Sequence, residues 1–475
     1  MSRINTNVQS IVAARVLNTQ QQTLSQTLTR LSTGLRINSG RDDPAGLIAS
    51  ESLRAEQTAI RAAIGNAERA TSVVSVAEAG LQEISSLLLS LENLVDRSAN
   101  EAGLSSDEVT ANQLEIDSIL STIDRIANST TFNGKKLLNG TLAYNTSGIS
   151  APDLAAVRIA GARLPDNGSR SVIVQVTQSA QTAGLIYGAV GGPGLSAAGN
   201  VTIQVGGNFG SEIYSFAGST AISAIQFAVN QSTQLTGVSA AVSGNNLKFN
   251  SSDYGDQAFV SVQATSGTFT VTGGSSATRD EGLNAAVLVN GTSADVNGLE
   301  ASVNTDSLSV ALTLTAAFGT TLQTTNFTIT DGGANFAISP TLELSGRVSL
   351  GVDSVTSGSL GNTSLGFLSS IASGQTNALS QKNFGQDQRV IREAISQIST
   401  LRGRLGAFLK NTLDSTIGSL QITLENVTAA ESAIRDADFA FETSRLTRSQ
   451  ILVAAATQTL QIANAAPQVA LQLLG

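Results

Sequence analysis

Residues 60–95 read IRAAIGNAERATSVVSVAEAGLQEISSLLLSLENLV, and this stretch decides the fold class of the chain. Small or apolar side chains recur along it in steps of three or four, interrupted only by Thr71. The positions are Ile60, Ile64, Ala67, Thr71, Val74, Ala77, Leu81, Ile84, Leu88, Leu91 and Val95. This spacing places them on one face of a helix and, held over about five heptads, is typical of a coiled coil or long bundle.

Turn and capping residues bound this predicted helix. Asp43 and Pro44 suit the N-cap and the first helical position, because proline lacks an N–H group that has no partner there. The helix is expected to end at about Ala99, since Gly103 and the sequence SSDE at 105–108 indicate a break and a new N-terminus.

Further apolar stripes precede and follow this predicted helix in the sequence. They are Leu17, Leu24, Leu28, Leu31 and Leu35; Ile116, Ile119, Ile123 and Ile126; Ile391, Ile395, Ile398, Leu401, Leu405 and Phe408; Leu409, Leu413, Ile417, Leu420, Leu424 and Val427; and Leu446, Val453 and Leu460. After the third helix, Asn133-Gly134 and Asn139-Gly140 suit type I′ turns, and we expect a small hairpin there. An ordinary intramolecular bundle and an assembly of helices from several chains both fit these stripes.

The middle of the chain has a different composition. Residues 146–360 hold 19 charged side chains in 215 positions, against 44 in the other 260, and contain 28 of the 44 glycines. Period-2 alternation predicts strands at 200–205, 268–272, 307–315 and 326–330. A helix is predicted at 221–231 and a loop at 188–200. The fold class is therefore α + β multidomain, with long antiparallel helices from both termini around a β-rich central domain.

Composition excludes many functions. The chain contains no His and no Cys, has a formal charge of −9, and only 4% of its residues are aromatic. Catalytic triads, thiolate nucleophiles, zinc sites and His- or Cys-ligated haem are therefore impossible, and nucleic-acid binding lacks its basic footprint. No apolar run approaches the roughly 18 residues of a membrane span, and the N-terminus lacks the apolar core of a secretory signal peptide. We expect no cofactor and no membrane insertion.

The remaining carboxylates offer weak catalytic or metal-binding candidates. Asp253 with Asp256, or Asp280 with Glu281, are the pairs that a glycosidase or a calcium loop could use. Loop carboxylates beside glycine are far more often turn or capping residues. Lys135 and Lys136 are expected to be solvated hairpin charges. The sequence therefore predicts no enzyme.

The terminal helices are expected to need partners. Their narrow Leu/Ala stripes bury too little apolar surface to offset the entropy of ordering a long helix. Residues 1–40 and the last 40 residues are therefore expected to be poorly ordered in an isolated monomer. They would fold on one another and on neighbouring subunits.

Three stretches carry a family resemblance. They are RLSTGLRINSGRDDPAGLIASESLRA (30–55), residues 100–140, and residues 401–475. All three resemble the terminal regions of bacterial flagellins, in the right order, and the similarity covers about 1–145 and 375–475. Residues 200–271 resemble the short insertion module of flagellins and hook-associated proteins.

The resemblance implies a structural subunit of the extracellular flagellar filament, exported unfolded through the flagellar type III apparatus without a cleaved signal peptide. It implies a large homopolymer, contacts with hook-associated and cap proteins, and an export chaperone on the C-terminal region. A hook–filament junction protein of the same family is the alternative. A secreted adhesin or surface-layer protein would rest on the Ser/Thr-rich centre alone.

The resemblance also divides the chain. Residues 1–42 and 435–475 would form the inner core, 43–145 and 361–434 the outer core, and 146–360 the exposed variable domain. Inner-core packing between subunits would use Leu17, Leu24, Leu28, Leu31, Leu35, Leu446, Val453, Leu460, Leu473 and Leu474. Outer-core packing would use Ile60, Ile64, Val74, Leu81, Ile84, Leu88, Leu91, Ile398, Leu401, Leu405, Leu420 and Leu424.

One position departs from the family pattern. Ser90 and Glu92 stand where many flagellins have the arginines that an innate immune receptor recognises, whereas Leu94 and Glu115 match. Weak or absent receptor signalling is therefore expected.

Overall fold

The computed structural model describes residues 6–100, 103–165, 168–188, 195, 199–305, 307–363 and 365–472, with only the backbone of 467–472. Long helices occupy both ends, and strands fill the middle. The helices are α1 Val8–Thr33, α2 Pro44–Ser98, α3 Ser106–Ser129, α4 Ile222–Gln231, α5 Thr233–Thr236, α6 Ala316–Gly319, α7 Phe384–Ala407, α8 Ser415–Arg435 and α9 Phe439–Gln472. Short 3₁₀ turns lie at Leu344–Gly346, Leu368–Ile371 and Leu379–Gln381. The α + β fold class is thereby confirmed.

The capping predictions are confirmed. The Gly46 N–H donates to Asp43 Oδ1 at 2.9 Å, which caps α2. At α3, the Glu108 N–H donates to Ser105 Oγ at 3.3 Å, and the Ser105 N–H donates to Glu108 Oε2 at 2.7 Å. These reciprocal bonds form a capping box.

The strands follow the third helix. In chain order they are β1 Thr131–Phe132, β2 Lys135–Lys136, β3 Tyr144–Ser147, β4 Leu154–Ala162, β5 Arg170–Gln178, β6 Thr182–Gly188, β7 Val201–Gly207, β8 Gly210–Phe216, β9 Val238–Ser243, β10 Asn246–Tyr254, β11 Phe259–Ser266, β12 Val271–Thr272, β13 Arg279–Glu281, β14 Ala286–Val289, β15 Thr292–Ser293, β16 Asp295–Asn297, β17 Glu300–Asn304, β18 Leu308–Leu314, β19 Thr324–Gly332, β20 Ala334–Ala337, β21 Arg347–Leu350, β22 Gly361–Asn362 and β23 Gly366–Phe367.

One of the two predicted type I′ turns exists. Strands β1 and β2 form an antiparallel hairpin, and Asn133 (φ 50°) and Gly134 (φ 78°) both have the positive φ that a type I′ turn requires. The prediction at Asn139-Gly140 was wrong, because only Gly140 has positive φ. There the Asn139 side chain accepts a hydrogen bond from the Thr141 N–H at 3.2 Å, which is an Asx turn.

The chain divides into two compact units. The first comprises Met1–Arg69, Ala337–Leu342 and Asn411–Gly475, and the second comprises Ala70–Phe336 and Glu343–Lys410. Helix α2 contributes residues to both. Within the first unit Ile60 and Leu420 are buried together, with Ile64 and Leu424 packed against them at partial burial.

The second unit has a helical core built from the predicted stripes. Buried residues of α2 and α7 lie in one cluster with residues of α3 and of the loops before α7. The predicted members Val74, Leu81, Ile84, Leu88, Leu91, Ile398, Leu401 and Leu405 all belong to it. Their intramolecular burial accounts for the long α2 stripe over Val74–Val95.

Two β sandwiches complete the second unit. The sheets β15-β14-β5-β19-β3 and β16-β17-β18-β4 share one buried cluster, which is formed mainly by inward residues of β3, β4, β5, β14, β17, β18 and β19. The sheets β12-β6-β10-β9 and β13-β11-β7-β8 share another with α4. The inward residues alternate along the strands, as in Val172, Val174 and Val176 of β5, because successive side chains point to opposite faces.

The strand predictions hold except at one position. Strands β7, β18 and β19 and helix α4 lie where the alternation predicted them. Residues 268–272 form a strand only at Val271–Thr272. Phe269 is buried instead by stacking on Tyr187, with ring centroids 4.1 Å apart. Most of the predicted loop at 188–200 lies outside the described residues.

A π-helical segment explains why the C-terminal stripe changes face. Residues Phe408–Asp414 form a π turn between α7 and α8. A π turn contains more residues than an α turn and therefore rotates the face that follows it. The two stripes meet at this segment, one ending at Phe408 and the next beginning at Leu409.

Helix α2 is also the one described helix that passes a length-and-composition test for a membrane span, with an 18-residue window of mean hydropathy 1.2. The expectation that no apolar run approaches the length of a membrane span was therefore wrong by this test of length and composition. Core helices pass the same test, and the face of α2 from Val74 to Val95 is buried in the helical core.

Candidate functional site: the terminal helix pair

Helices α1 and α9 pack against each other in antiparallel orientation. At one end the Asn7 side-chain amide donates to the Ala463 carbonyl at 2.7 Å, and the Ser10 hydroxyl donates to Asn464 Oδ1 at 2.6 Å. At the other end Arg30 Nη1 lies 3.1 Å from Glu442 Oε1. The first and last helices of the chain therefore form one pair.

Small residues predominate among the buried positions of this pair. Ala13, Thr27, Ser449, Ala456 and Ala463 are buried. The predicted inner-core residues Leu17, Leu24, Leu31, Leu35, Leu446, Val453 and Leu460 are half-buried, Leu28 is exposed, and Leu473 and Leu474 lie outside the described residues. Small side chains let two helix backbones approach closely. The leucines of the pair bury only part of their surface within one chain.

Sequence analysis missed the most buried charge of the pair. The Glu442 side chain is 4% exposed and that of Arg30 is 14% exposed. Arg445 Nη1 lies 4.0 Å from the same Glu442 oxygen. The signal was present in the sequence, because Glu442 lies four residues before Leu446. It therefore continues the series of steps of three and four that contains Leu446, Val453 and Leu460.

Both helices present apolar side chains to solvent. On α1 the exposed residues are Val8, Ile11, Val12, Val16 and Leu28; on α9 they are Phe439, Phe441, Ile451, Leu452 and Ile462. Between the helices runs a groove of about 440 Å³, lined by Val8, Val12 and Val16 from α1 and by Ala456, Thr459 and Ile462 from α9, among others. Contiguous exposed apolar surface of this kind is typical of protein–protein interfaces.

Backbone bonds tie the ends of the pair together. Gly34 caps α1 with φ +73°, a left-handed conformation that glycine adopts without strain. The next residue, Leu35, forms an isolated antiparallel bridge with Asp436. The Ala437 N–H donates to the Gly34 carbonyl at 2.9 Å, and the Arg36 N–H donates to the Arg435 carbonyl at 2.7 Å.

A capped turn follows this bridge. Asp42 Oδ2 accepts hydrogen bonds from the Asn38 and Ser39 N–H groups at 3.1 and 2.9 Å. Its other oxygen accepts from the Gln26 side chain at 3.0 Å. The Gln26 bond is the main cause that lowers the pKa of Asp42, and the Ser39 and Asn38 bonds add to it. The carboxylate is thus the acceptor that orders the connector from α1 to α2.

The residues of the predicted receptor region lie in the second unit. Ser90 is exposed on α2, and its hydroxyl donates to the Ser86 carbonyl. Glu92 pairs with Arg392, with Nε and Oε1 2.8 Å apart. Leu94 is buried in the helical core, and Glu115 is exposed on α3.

Two of the candidate catalytic carboxylates, Asp280 and Glu281, have structural contacts. Asp280 accepts the Gly184 N–H at 2.7 Å and the Ser275 N–H at 2.9 Å. Glu281 pairs with Arg279 at 3.2 Å on the surface. Within the described ranges, His, Cys, Asp and Glu side chains form no group of three suited to a metal ion.

Family models match both ends of the chain. The model described as the bacterial flagellin N-terminal helical region matches residues 4–143, and that of the bacterial flagellin C-terminal helical region matches 389–474. Flagellins also align over nearly the whole chain. The chain belongs to the bacterial flagellin family.

The relatives of this flagellin-family chain are distant but colinear. It is 28% identical to polar flagellin B/D of Vibrio parahaemolyticus over 99% of both chains. It is 28% identical to the B-type flagellin of Pseudomonas aeruginosa, again over 99% of both. A solved structure of hook-associated protein-3 from Legionella pneumophila covers 81% of this chain and 98% of its own at 12% identity, with a TM-score of 0.32.

Family membership supports a component of the flagellar filament, which is extracellular. The flagellin family is a family of structural proteins, not of enzymes. The terminal helix pair falls within the two matched regions.

Proposed function

We propose that the chain polymerises into the flagellar filament through the terminal helix pair. The observation that carries this proposal is the set of ten large apolar side chains that are exposed among the described side chains of α1 and α9, five on each helix. Copies of the same pair are the partner proposed for them, since the family builds a homopolymer.

The burial pattern supports assembly of subunits rather than a self-sufficient monomer. The seam leucines Leu17, Leu24, Leu31, Leu446 and Leu460 are half-buried, and Leu28 and Leu452 are exposed. Ordering a long helix costs backbone entropy that one half-buried stripe does not offset. Residues 1–40 and the last 40 residues therefore gain order when copies assemble.

The proposed roles of the segments follow from this. Residues 1–42 and 435–475 form the inner core, 43–145 and 361–434 the outer core, and 146–360 the exposed domain. The inner-core leucines, Leu473 and Leu474 included, contact neighbouring subunits in this proposal. The module at 200–271 contains β7, β8, α4, α5, β9, β10 and β11.

Export and assembly partners complete the proposal. The chain leaves the cell unfolded through the flagellar type III apparatus, without cleavage of a signal peptide. A chaperone binds its C-terminal region before export, and hook-associated and cap proteins contact the polymer. The large apolar side chains that α9 exposes support the need for such a chaperone.

Electron microscopy of the purified chain before and after seeding tests this function. Long helical filaments are expected from the full chain after seeds are added. Pure protein that stays monomeric, or that closes into short structures, would contradict the filament role. Short structures would instead indicate the hook–filament junction role.

Receptor activation by the purified monomer is expected to be weak or absent. Ser90 offers no positive charge at its exposed position on α2, and Glu92 is a carboxylate already paired with Arg392. A reporter-cell assay for the flagellin receptor measures this, with a flagellin that carries arginine at both positions as the control. Full activation at the same concentration would refute the expectation.

A further inference from the structure

The buried seam of the terminal helix pair repeats every seven residues on both helices. On α9 it runs through Glu442, Leu446, Ser449, Val453, Ala456, Leu460 and Ala463, and on α1 through Ser10, Ala13, Leu17, Gln20, Leu24, Thr27 and Leu31. Each of these side chains is buried or half-buried. On α9 large and small side chains alternate along the seam from Leu446 to Ala463.

The end contacts set which residues face each other. Counting back along α1 from Arg30 and forward along α9 from Glu442 brings Leu17 opposite Ala455 and Leu24 opposite Arg448. The nearest seam residues of α9 are therefore Ala456 for Leu17 and Ser449 for Leu24, each one residue away. The bonds from Asn7 to Ala463 and from Ser10 to Asn464 at the far end lie within two residues of this count, on opposite sides of it. At Leu17 and Leu24 a large side chain of α1 therefore meets a small seam residue of α9 in the observed register.

Packing alone does not single out this register. Shifting α9 by seven residues toward the amino end of α1 makes Ser449 the nearest seam residue for Leu17 and Val453 the nearest for Ala13. These are again pairs of a large and a small side chain. A repeat of this kind specifies register weakly, and in coiled coils a single buried polar group commonly decides it.

The buried ion pair does distinguish the two registers. In the observed register Glu442 meets Arg30 at 3.1 Å. After the seven-residue shift Glu442 faces Leu24 instead, and its carboxylate loses the guanidinium. A buried carboxylate without a cation is strongly unfavourable.

The backbone bridge at the same end discriminates less. Asp436 is exposed and Leu35 is half-buried, so water can replace the hydrogen bonds around them when they separate. Water has no such access to a Glu442 side chain that is 4% exposed.

We propose that Arg30 and Glu442 are positioning residues that set the register of α1 against α9. The register determines which apolar side chains of the two helices stand side by side on the outer surface. The proposal rests on the proposed function for its consequence, because subunits with shifted surfaces do not match one another in a polymer.

Cysteine cross-linking in the full chain tests the register, since the chain has no native Cys. One variant, Leu17→Cys with Ala456→Cys, reports the observed register, and another, Leu17→Cys with Ser449→Cys, reports the shifted one. Seven residues of helix span about 10.5 Å, which is beyond disulfide reach, so each pair reports one register. Polymers are oxidised and then dissolved in detergent, where intramolecular cross-links run as monomers and intermolecular ones as dimers.

With Arg30 and Glu442 present, the observed-register cross-link should exceed the shifted one by at least about tenfold. With Arg30→Met and Glu442→Leu together, the two cross-links should form to similar extents, because the ion pair that distinguishes the registers is gone. The helix pair itself should remain stable, since apolar replacement of a buried ion pair retains stability. Unchanged helix content by circular dichroism shows that unfolding of the helices is not the cause of the changed cross-link ratio. The matched control is Arg54→Met, at an arginine about half-exposed on α2, which should leave the ratio unchanged.

Three outcomes overturn the proposal. One is the observed-register cross-link alone in the double variant, another is loss of helix content in that variant, and the third is a changed ratio in the control. Loss of polymer with helix content retained and mixed cross-links supports it. If the unsubstituted chain does not polymerise, the proposed function fails. The same cross-links then test the register in a monomer whose helix content by circular dichroism shows that α1 and α9 are formed.

Discussion

Deleting residues 446–475 is expected to abolish polymer formation completely, and deleting residues 1–35 is expected to do the same. Each deletion removes one helix of the terminal pair, and with it the surface proposed to contact other copies. None of the deleted residues belongs to the buried clusters of the second unit. Sedimentation after seeding measures polymer, and thermal melting measures the second unit, whose transition should remain. Persistent polymer from either deletion would contradict the assembly role.

Point substitutions sharpen the same test. Ile451 and Ile462 are 64% and 69% exposed on α9, so Ile451→Ser with Ile462→Ser leaves the pair intact within one chain. Losing the burial of two isoleucines costs about 3–6 kcal/mol, which raises the critical concentration by at least about a hundredfold. The control is Phe227→Ser on α4, which is equally exposed at 66% and should leave assembly unchanged.

Replacing Asp387 by Asn is expected to stabilise the folded chain at alkaline pH. Asp387 lies in the first turn of α7 at 0% exposure, and neither carboxylate oxygen has a hydrogen-bond partner among the described residues. Burial raises its pKa from 3.8 to about 7. The folded chain therefore holds a proton between these values that the unfolded chain has lost. Stability is highest below the unfolded pKa and falls as pH rises to about 7.

The expected gain from Asp387→Asn follows from this shift. It should reach up to about 4 kcal/mol at pH 8 and shrink toward zero near pH 4. Urea unfolding of both chains at pH 8, 6 and 4 measures the difference. Glu115→Gln, at an exposed carboxylate on α3, is the control and should show no such trend. A gain that is the same at every pH would show that the carboxyl does not titrate in this window.

Local features of the fold were predictable because their causes are local. The cap at Asp43, the capping box at Ser105 and the turn at Asn133-Gly134 each depend on residues within a few positions of one another. The pairing of strands was not predictable in this way. Strand β5 pairs with β14 and β19, more than a hundred residues away, and such partners are chosen by the packing of whole sheets.

The candidate site was only partly predictable. The seven-residue repeat identified α1 and α9 as an apolar pair of helices. It did not identify Ala13, Thr27 and Ser449 as buried positions, because the distance between two helices depends on the side chains of both. It also left out Glu442, since a charged residue is normally solvated unless a cation such as Arg30 lies beside it in the fold.

The pairing of the first helix with the last has a consequence in time. Arg30 and Glu442 are separated by 412 positions, so α1 is synthesised long before its partner exists. Closing so large a loop is entropically costly until the intervening segments have collapsed and shortened it. Helix α1 therefore remains unpaired, with its apolar face in contact with solvent, until α9 has been synthesised. A protein that bound α9 alone would keep the two terminal helices apart until it dissociated.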